Sequence, residues 1–408
     1  MNDCCGPEVR PLGVQQALER ILASVRQSDA TESVSLEQAL GRVLAEDVAA
    51  RVDVPPAANS AMDGYALRHR DFSPGITLPV AGVVPAGAAA PALPSGQAVR
   101  IFTGAPIPAG ADTVVMQEVC EPVGEGVRLP DSIRKGSNIR PAGEDMTHGQ
   151  RVLHAGQRLR PQELGLAATA GHGELVVRPR LRVAVLATGD ELVAPGEPLG
   201  PGQIYDSNSF VLLGLLQRLG CEVSLKSVVA DTRPATEQAL SDAANRSDLI
   251  ITSGGVSVGD EDHVKAAVAA LGVLDLWRIA IKPGKPVALG KVGETPFLGL
   301  PGNPVSVFVT FCLFGRPLVR RMQGEADVST LRVPVNAAFD LKTDGRSRYL
   351  RARIVKQGGE LWAEVYGHQG SGVMYSTSWA HGLVEVPPGR QVVKGDQLMY
   401  LPYSELLA

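Results

Sequence analysis

The chain has 408 residues, too many for one ordinary core, and 44% of them are hydrophobic, so roughly three or four domains are expected. Lys and Arg number 39 against 43 Asp and Glu, a net charge of −4 with no basic block, which argues against a nucleic-acid partner. No apolar run is long enough to span a bilayer, and Met1-Asn-Asp-Cys-Cys5 lacks the basic and apolar stretches of a signal peptide, so a cytoplasmic protein without a membrane partner is expected.

The five cysteines, Cys4, Cys5, Cys120, Cys221 and Cys312, form no CxxC and are odd in number, which indicates neither a disulfide framework nor a zinc knuckle. Cys4-Cys5 reads as part of a frayed terminus. The seven histidines are scattered, so any metal chemistry must rest on oxygen ligands.

In chain order, Val14, Leu18, Ile21, Leu22 and Val25 recur at spacings of three and four and predict an amphipathic helix. A second short helix is expected from Ser35 to Leu44, with Ser35 as its cap. Arg51 to Pro56 reads as extended because the double proline bars helix. Short β-type runs follow at Ile76–Val84, Ala98–Phe102, Thr113–Glu118 and Gly126–Leu129, parted by Pro- and Gly-rich turns. Helix returns at Pro161 to Ala170. This gives a small β-rich domain, 53–140, inserted into an N-terminal helical and linker domain made of 1–52 and 141–178.

From Leu181 the pattern alternates. Strands are predicted at Leu181–Ala187, Val223–Ala230, Leu249–Thr252, Leu274–Ile281, Val287–Leu289 and Phe297–Leu300. Helices are predicted at Ser209–Leu219, Pro234–Asn245, Glu261–Leu271 and Val305–Met322. Such alternation implies a doubly wound, mostly parallel α/β domain over 179–325. Past Gly324 only short alternating strands remain, at Leu331–Ala337, Arg348–Val355, Leu361–Tyr366, Leu383–Val386 and Gln397–Leu401. They predict a small β-barrel or sandwich over 326–408.

Ligands of open α/β sheets sit beyond the carboxyl ends of the strands. Four segments fall there: Thr188-Gly-Asp-Glu191, Asp231-Thr232, Thr252 to Asp260, and Leu300-Pro-Gly-Asn-Pro304. In the third, Gly254-Gly255 permits positive φ and lets backbone N–H groups approach a ligand, Ser253 and Ser257 add hydroxyls, and a helix start follows. That combination suits a phosphate; paired glycines also make a plain tight turn, but Ser, Gly and a helix start coincide here. No P-loop lysine and no G-x-G-x-x-G is present, which weakens ordinary NTPase and NAD readings. Ile281-Lys-Pro-Gly-Lys-Pro286 reads as a tight turn that aims Lys282 and Lys285 at one side, beside the cradle. Asp190, Glu191, Asp231, Asp260 and Asp262 cluster at the same strand ends, and carboxylates beside phosphates call for a divalent cation, most simply Mg²⁺. Asp231 has an equal alternative as a cap for the helix near Pro234. Outside this domain, Asn59-Ser-Ala-Met-Asp-Gly-Tyr-Ala66, Phe102-Thr-Gly-Ala-Pro106 and Gly143-Glu-Asp145 read as turns or loops.

Together with Asn138–Asp145, Lys282–Pro286, Leu300–Ser306 and Gly367-His-Gln-Gly-Ser-Gly372, these segments resemble the molybdenum insertase family: bacterial MoeA and the E domain of gephyrin and its plant counterparts. The matching pieces span nearly the whole chain, in order. The resemblance implies an Mg²⁺-dependent molybdopterin molybdenumtransferase. Such an enzyme inserts molybdenum from molybdate into adenylylated molybdopterin and releases AMP. It further implies a homodimer whose active cleft is shared between subunits, with a molybdopterin adenylyltransferase and molybdoenzyme-delivery proteins as candidate partners. By the same resemblance, Asp63, Thr103, Asp145, Glu191, Asp231 and Asp262 match positions tied to activity, with Glu191, Asp231 and Asp262 the Mg²⁺ set. Ser253, Gly254, Gly255, Lys282, Lys285, Pro301 and Asn303 match the molybdopterin-binding loops, and Ser371 a residue that closes the cleft. Arg278 stands where the family often carries lysine, keeping the charge but not lysine's compact geometry. Two rivals are an adenylyltransferase built on the same α/β module and a scaffold of the gephyrin type.

Overall fold

A computed structural model describes residues 11–256 and 263–407. Its centre is a six-stranded sheet with the spatial order Glu222–Val229, Arg182–Thr188, Leu249–Ser253, Thr295–Leu300, Pro286–Val292, Gly272–Arg278. The first four strands are mutually parallel, and Pro286–Val292 runs against both its neighbours. Alternate residues of the central strands feed two cores. Val183, Val185, Leu249 and Ile251 pack with Leu212, Leu216 and the Pro304–Met322 helix on one face. Ala184, Leu186 and Ile250 pack with Leu240, Ala243, Val264 and Val268 on the other. Covering both faces is why these strands read as unbroken apolar runs.

The predicted helix Val305–Met322 is one helical rod that widens to a π turn at Phe311–Gly315, between Pro304–Thr310 and Arg316–Met322. Pro317 accounts for it: a proline inside a helix lacks the N–H for its partner carbonyl and crowds the preceding turn. The predicted strand Leu274–Ile281 divides in two. Gly272–Arg278 is the edge of the sheet, whereas Ile281–Lys282 pairs in parallel with Ser347–Arg348 of the C-terminal region. There, Ser347–Gln357, Glu360–Val365, Val333–Ala337, Gln397–Pro402 and Gly382–Val386 follow one another, and the last closes back on the first as a five-stranded barrel.

The first helix, Val14–Ala23, buries Ala17 and Ile21 in the α/β core, beside Leu318 and Val319. No helix covers Ser35–Leu44. Glu32–Ser35 is a strand on Glu174–Val177, and one 3₁₀ turn, Leu36–Gln38, follows it. Pairing of the Ser35 backbone with Glu174 takes the place of a helix cap. Val48–Ala49 pairs with Arg151–Leu153, so both ends of the middle segment return to one place. Within that segment a curled sheet has the order Thr113–Met116, Gly64–Leu67, Ala98–Ile101, Thr77–Val84, Gly126–Arg128, Glu121–Val123. Gly64–Leu67 belongs to the stretch expected to be loop, yet it is a central, fully buried strand. A Cβ at Gly64 would sit 2.0 Å from the Val115 carbonyl oxygen, so only glycine fits against that neighbour.

Candidate functional site

A cavity of about 1000 Å³ opens at the carboxyl ends of the parallel strands. Glu191, Asp231, Ser253, Gly254, Gly255, Lys282, Lys285, Pro301, Asn303 and Ser371 all line it. The glycine pair takes φ of +96° at Gly254 and +65° at Gly255. A side chain at Gly255 would meet Val264 Cγ2 at 2.2 Å, and one at Gly254 the Thr188 carbonyl oxygen at 3.1 Å. The backbone therefore passes where only glycine fits, the condition for N–H groups to approach a ligand. Ser257, Asp260 and Asp262 lie outside the described residues, and so does the start of the helix expected at Glu261; the helix is described from His263 to Leu271.

The lysine turn is held by the same device. Gly284 has φ +100°, and a Cβ there would meet Thr310 Cγ2 at 2.4 Å. The turn joins a barrel-edge pairing at Lys282 to the sheet strand that begins at Pro286, which brings Lys282 and Lys285 to the cavity between the two regions. Glu191 folds back so that its carboxylate lies against Gly189. The Asp190 carboxylate accepts the Asp231 N–H at 3.0 Å. Thr232 holds the N-cap position of the neighbouring helix, Arg233–Arg246, without a side-chain cap bond, leaving Asp231 on the cavity wall rather than at the cap. Among the described residues no three His, Cys, Asp or Glu side chains gather as a metal-binding set.

Sequence reasoning did not single out Asn208, which directly precedes the helix predicted at Ser209–Leu219. Its Nδ2 donates to Ser253 Oγ at 2.8 Å and to the Gly302 carbonyl at 2.6 Å, tying two cavity loops together. Asn208 lies 45 residues from one partner and 94 from the other, so no local pattern announces it. Arg346 and Gln369 of the barrel region also line the cavity. The Ser371 carbonyl accepts the Val305 N–H at 3.0 Å, which pins the barrel loop to the start of the Pro304 helix. On the outer face of the barrel, alternating with the core residues Leu350 and Ala352, buried Arg351 donates to the Gly370 carbonyl at 3.0 Å and to Ser376 Oγ at 2.9 Å. Burial brings its guanidinium down to about 10.

Asp63, Thr103, Asp145 and Arg278 do not line this cavity. Arg278 ends the edge strand Gly272–Arg278, paired with Pro286, and its side chain is exposed. The other three belong to the middle region, where three separate segments meet. Asn59–Ser60 pairs with Ile139–Arg140, and the Ser60 carbonyl accepts the Gly104 N–H at 2.8 Å. Asp63 Oδ1 accepts from the Thr103 backbone at 2.7 Å and from Thr103 Oγ1 at 2.9 Å. Those two bonds, the backbone one first, hold the Asp63 carboxyl below the usual carboxylate range. Asp145 is fixed through its backbone, which donates to the Val54 carbonyl at 2.9 Å.

Comparison with known proteins covers the same ground. Residues 12–171 match the MoeA N-terminal region (domain I and II). Residues 184–321 match a family described as a probable molybdopterin binding domain, and 334–403 the MoeA C-terminal region (domain IV). The molybdopterin molybdenumtransferase of Haemophilus influenzae is 39% identical over 402 residues, covering 97% of this chain and 100% of that protein. Molybdopterin molybdenumtransferase 2 of Mycobacterium tuberculosis is 38% identical over 397 residues, 94% of this chain and 98% of that one. The crystal structure of a molybdopterin biosynthesis MoeA protein from Pyrococcus horikoshii matches with a TM-score of 0.82 at 29% identity, over 97% of this chain and 100% of that chain. No helix among the described residues is long and apolar enough to cross a membrane. The chain belongs to the MoeA family of molybdopterin molybdenumtransferases.

Proposed function

We propose that this protein inserts molybdenum from molybdate into adenylylated molybdopterin and releases AMP. One observation carries the reading: a single cavity is lined by the Ser253–Gly255 cradle, by Lys282 and Lys285, and by Glu191 and Asp231. The cradle and Lys282 and Lys285 bind the anionic phosphates, and the lysines offset charge that builds on the leaving phosphate. Asn303, Pro301 and Ser371 shape the wall against which the pterin part lies. Glu191 and Asp231 orient water at the phosphoanhydride.

Mg²⁺ fits this donor set as an ion shared with the ligand, since two carboxylates facing a phosphate site need a cation between them, and Mg²⁺ commonly takes one or two carboxylates plus phosphate oxygens. Asp262 is the third carboxylate of the proposed set. When bound, Mg²⁺ would neutralise the phosphoanhydride charge. Asp63, Thr103 and Asp145 enter from a second copy of the chain in a homodimer with a shared cleft. A molybdopterin adenylyltransferase upstream, delivery proteins downstream and a cytoplasmic location complete the proposal.

The test is a reconstituted assay with adenylylated molybdopterin, molybdate and Mg²⁺. Glu191→Ala and Asp231→Ala should each cut AMP release about 100-fold or more. Full release by both variants would refute the roles given to them, and formation of adenylylated molybdopterin from ATP would mark an adenylyltransferase instead.

A further inference from the structure

The cavity wall is mostly glycine, proline, small polar and charged residues, with Leu192, Ile204, Val256 and Ile281 as its aliphatic part and His263 as its imidazole. Tyr205 supplies the one phenolic ring among its described lining residues. Tyr205 lies on a strap that leaves the first strand at Thr188, pairs Leu192–Val193 in parallel with Ile204–Tyr205, and enters the Asn208 helix. Both its neighbours are fixed. The Ile204 N–H donates to the Glu191 carbonyl at 2.8 Å, and the Asp206 N–H to the Val193 carbonyl at 2.9 Å. Asp206 is buried, its carboxylate accepting the Ser209 N–H at 3.0 Å. The ring is pinned as well: the Tyr205 hydroxyl donates to the Glu197 carbonyl at 3.1 Å.

A large side chain held at both ends ordinarily ends up covered. Tyr205 remains 44% exposed and Ile204, beside it, 55%. The hydroxyl is used for anchoring, which leaves the ring face as the part offered to a ligand. The geometry points to Tyr205 as a specificity-determining residue whose ring stacks on a planar nitrogen heterocycle, a purine or a pterin, carried by the phosphorylated ligand. A tyrosine ring suits such a partner because stacking needs a flat, preorganised aromatic face and no hydrogen-bond code. Charge recognition and ring recognition would then be divided: the glycine cradle and lysines take the phosphate, and the strap takes the ring. This inference rests on the reading of the cavity as a phosphorylated-ligand site.

Equilibrium binding by calorimetry separates the two claims. Three probes are compared: AMP, which has a purine; a pterin monophosphate, which has a pterin; and pyrophosphate, which has neither. Tyr205→Leu should weaken at least one ring-bearing probe roughly tenfold and leave pyrophosphate unchanged. The affected probe identifies the ring. Tyr205→Trp should restore that probe's affinity, and Tyr205→Phe should retain most of it while losing the anchor. Unchanged affinity for both ring probes in Tyr205→Leu overturns the inference, as does an equal loss for all three. Should the wild type bind pyrophosphate but gain nothing from either ring, stacking fails while the cradle stands. If it binds none of the three, the phosphate reading fails and takes the inference with it.

Discussion

The α/β cavity and the middle region both gather charged side chains, and they are built differently. In the α/β cavity the positions are set by backbone passing where a Cβ would clash: Gly255 against Val264, Gly284 against Thr310. In the middle region the positions are set by side chains reaching across segments: Asp63 to Thr103, Asn138 Nδ2 to the Val114 carbonyl at 2.9 Å. A backbone-built site fails whenever bulk is added. A side-chain-built contact such as Asp63 to Thr103 is lost when its donor or acceptor is removed.

The largest effect should come from bulk in the cradle. Gly255→Ala adds a methyl at 2.2 Å from Val264 Cγ2 and forces alanine to φ +65°, so it should cost about 2–4 kcal/mol in urea unfolding and abolish binding of phosphorylated ligands. A cost below about 0.5 kcal/mol would show that the loop yields easily, and the contrast with the middle region would lose its basis. Next come the lysines. Lys282→Ala and Lys285→Ala should each weaken phosphate-bearing ligands roughly 10- to 100-fold, with a flatter salt dependence and unfolding within about 0.5 kcal/mol of wild type. Asn208→Ala lies between the two designs, because it unties Ser253 from Gly302 without adding bulk. It should lower ligand affinity roughly tenfold and stability by about 1–2 kcal/mol, read from titration and denaturation together.

The smallest effect should appear at Thr103. Thr103→Val keeps the backbone bond to Asp63 and removes the hydroxyl bond, so the Asp63 carboxyl should titrate at higher pH than in wild type without reaching the ordinary carboxylate value. Carboxyl-carbon NMR titration reads this directly. The sign follows from the lowered value: the folded state favours the ionised carboxylate, so the contribution is present above the ordinary carboxylate range and lost as pH falls through the depressed one. Activity that depends on ionised Asp63 should therefore persist to lower pH in wild type than in Thr103→Val. An unchanged titration would mean that the backbone N–H alone sets the carboxylate.

What the sequence determined was whatever is local. Apolar runs marked the parallel strands, and Gly254-Gly255, the Lys-Pro-Gly-Lys turn, Glu191 and Asp231 were all legible as segments beyond strand ends, where they line the cavity. Each follows from φ limits, strand periodicity or the rule that ligands sit beyond carboxyl ends, and each needs only a few consecutive residues. The ordered series of motifs from Asn59 to Gly372 carried the family. Tertiary structure alone decided which distant pieces touch. Asp63 and Thr103 are 40 residues apart, Asn208 and Gly302 are 94, and neither pair shares a local period. Gly64 looked like a turn residue because its reason, the Val115 carbonyl oxygen, comes from another strand. The same cause put Arg278 outside the cavity: charge can be read from the chain, but the face on which an edge strand presents it is fixed by pairing and by the neighbours that bury the rest.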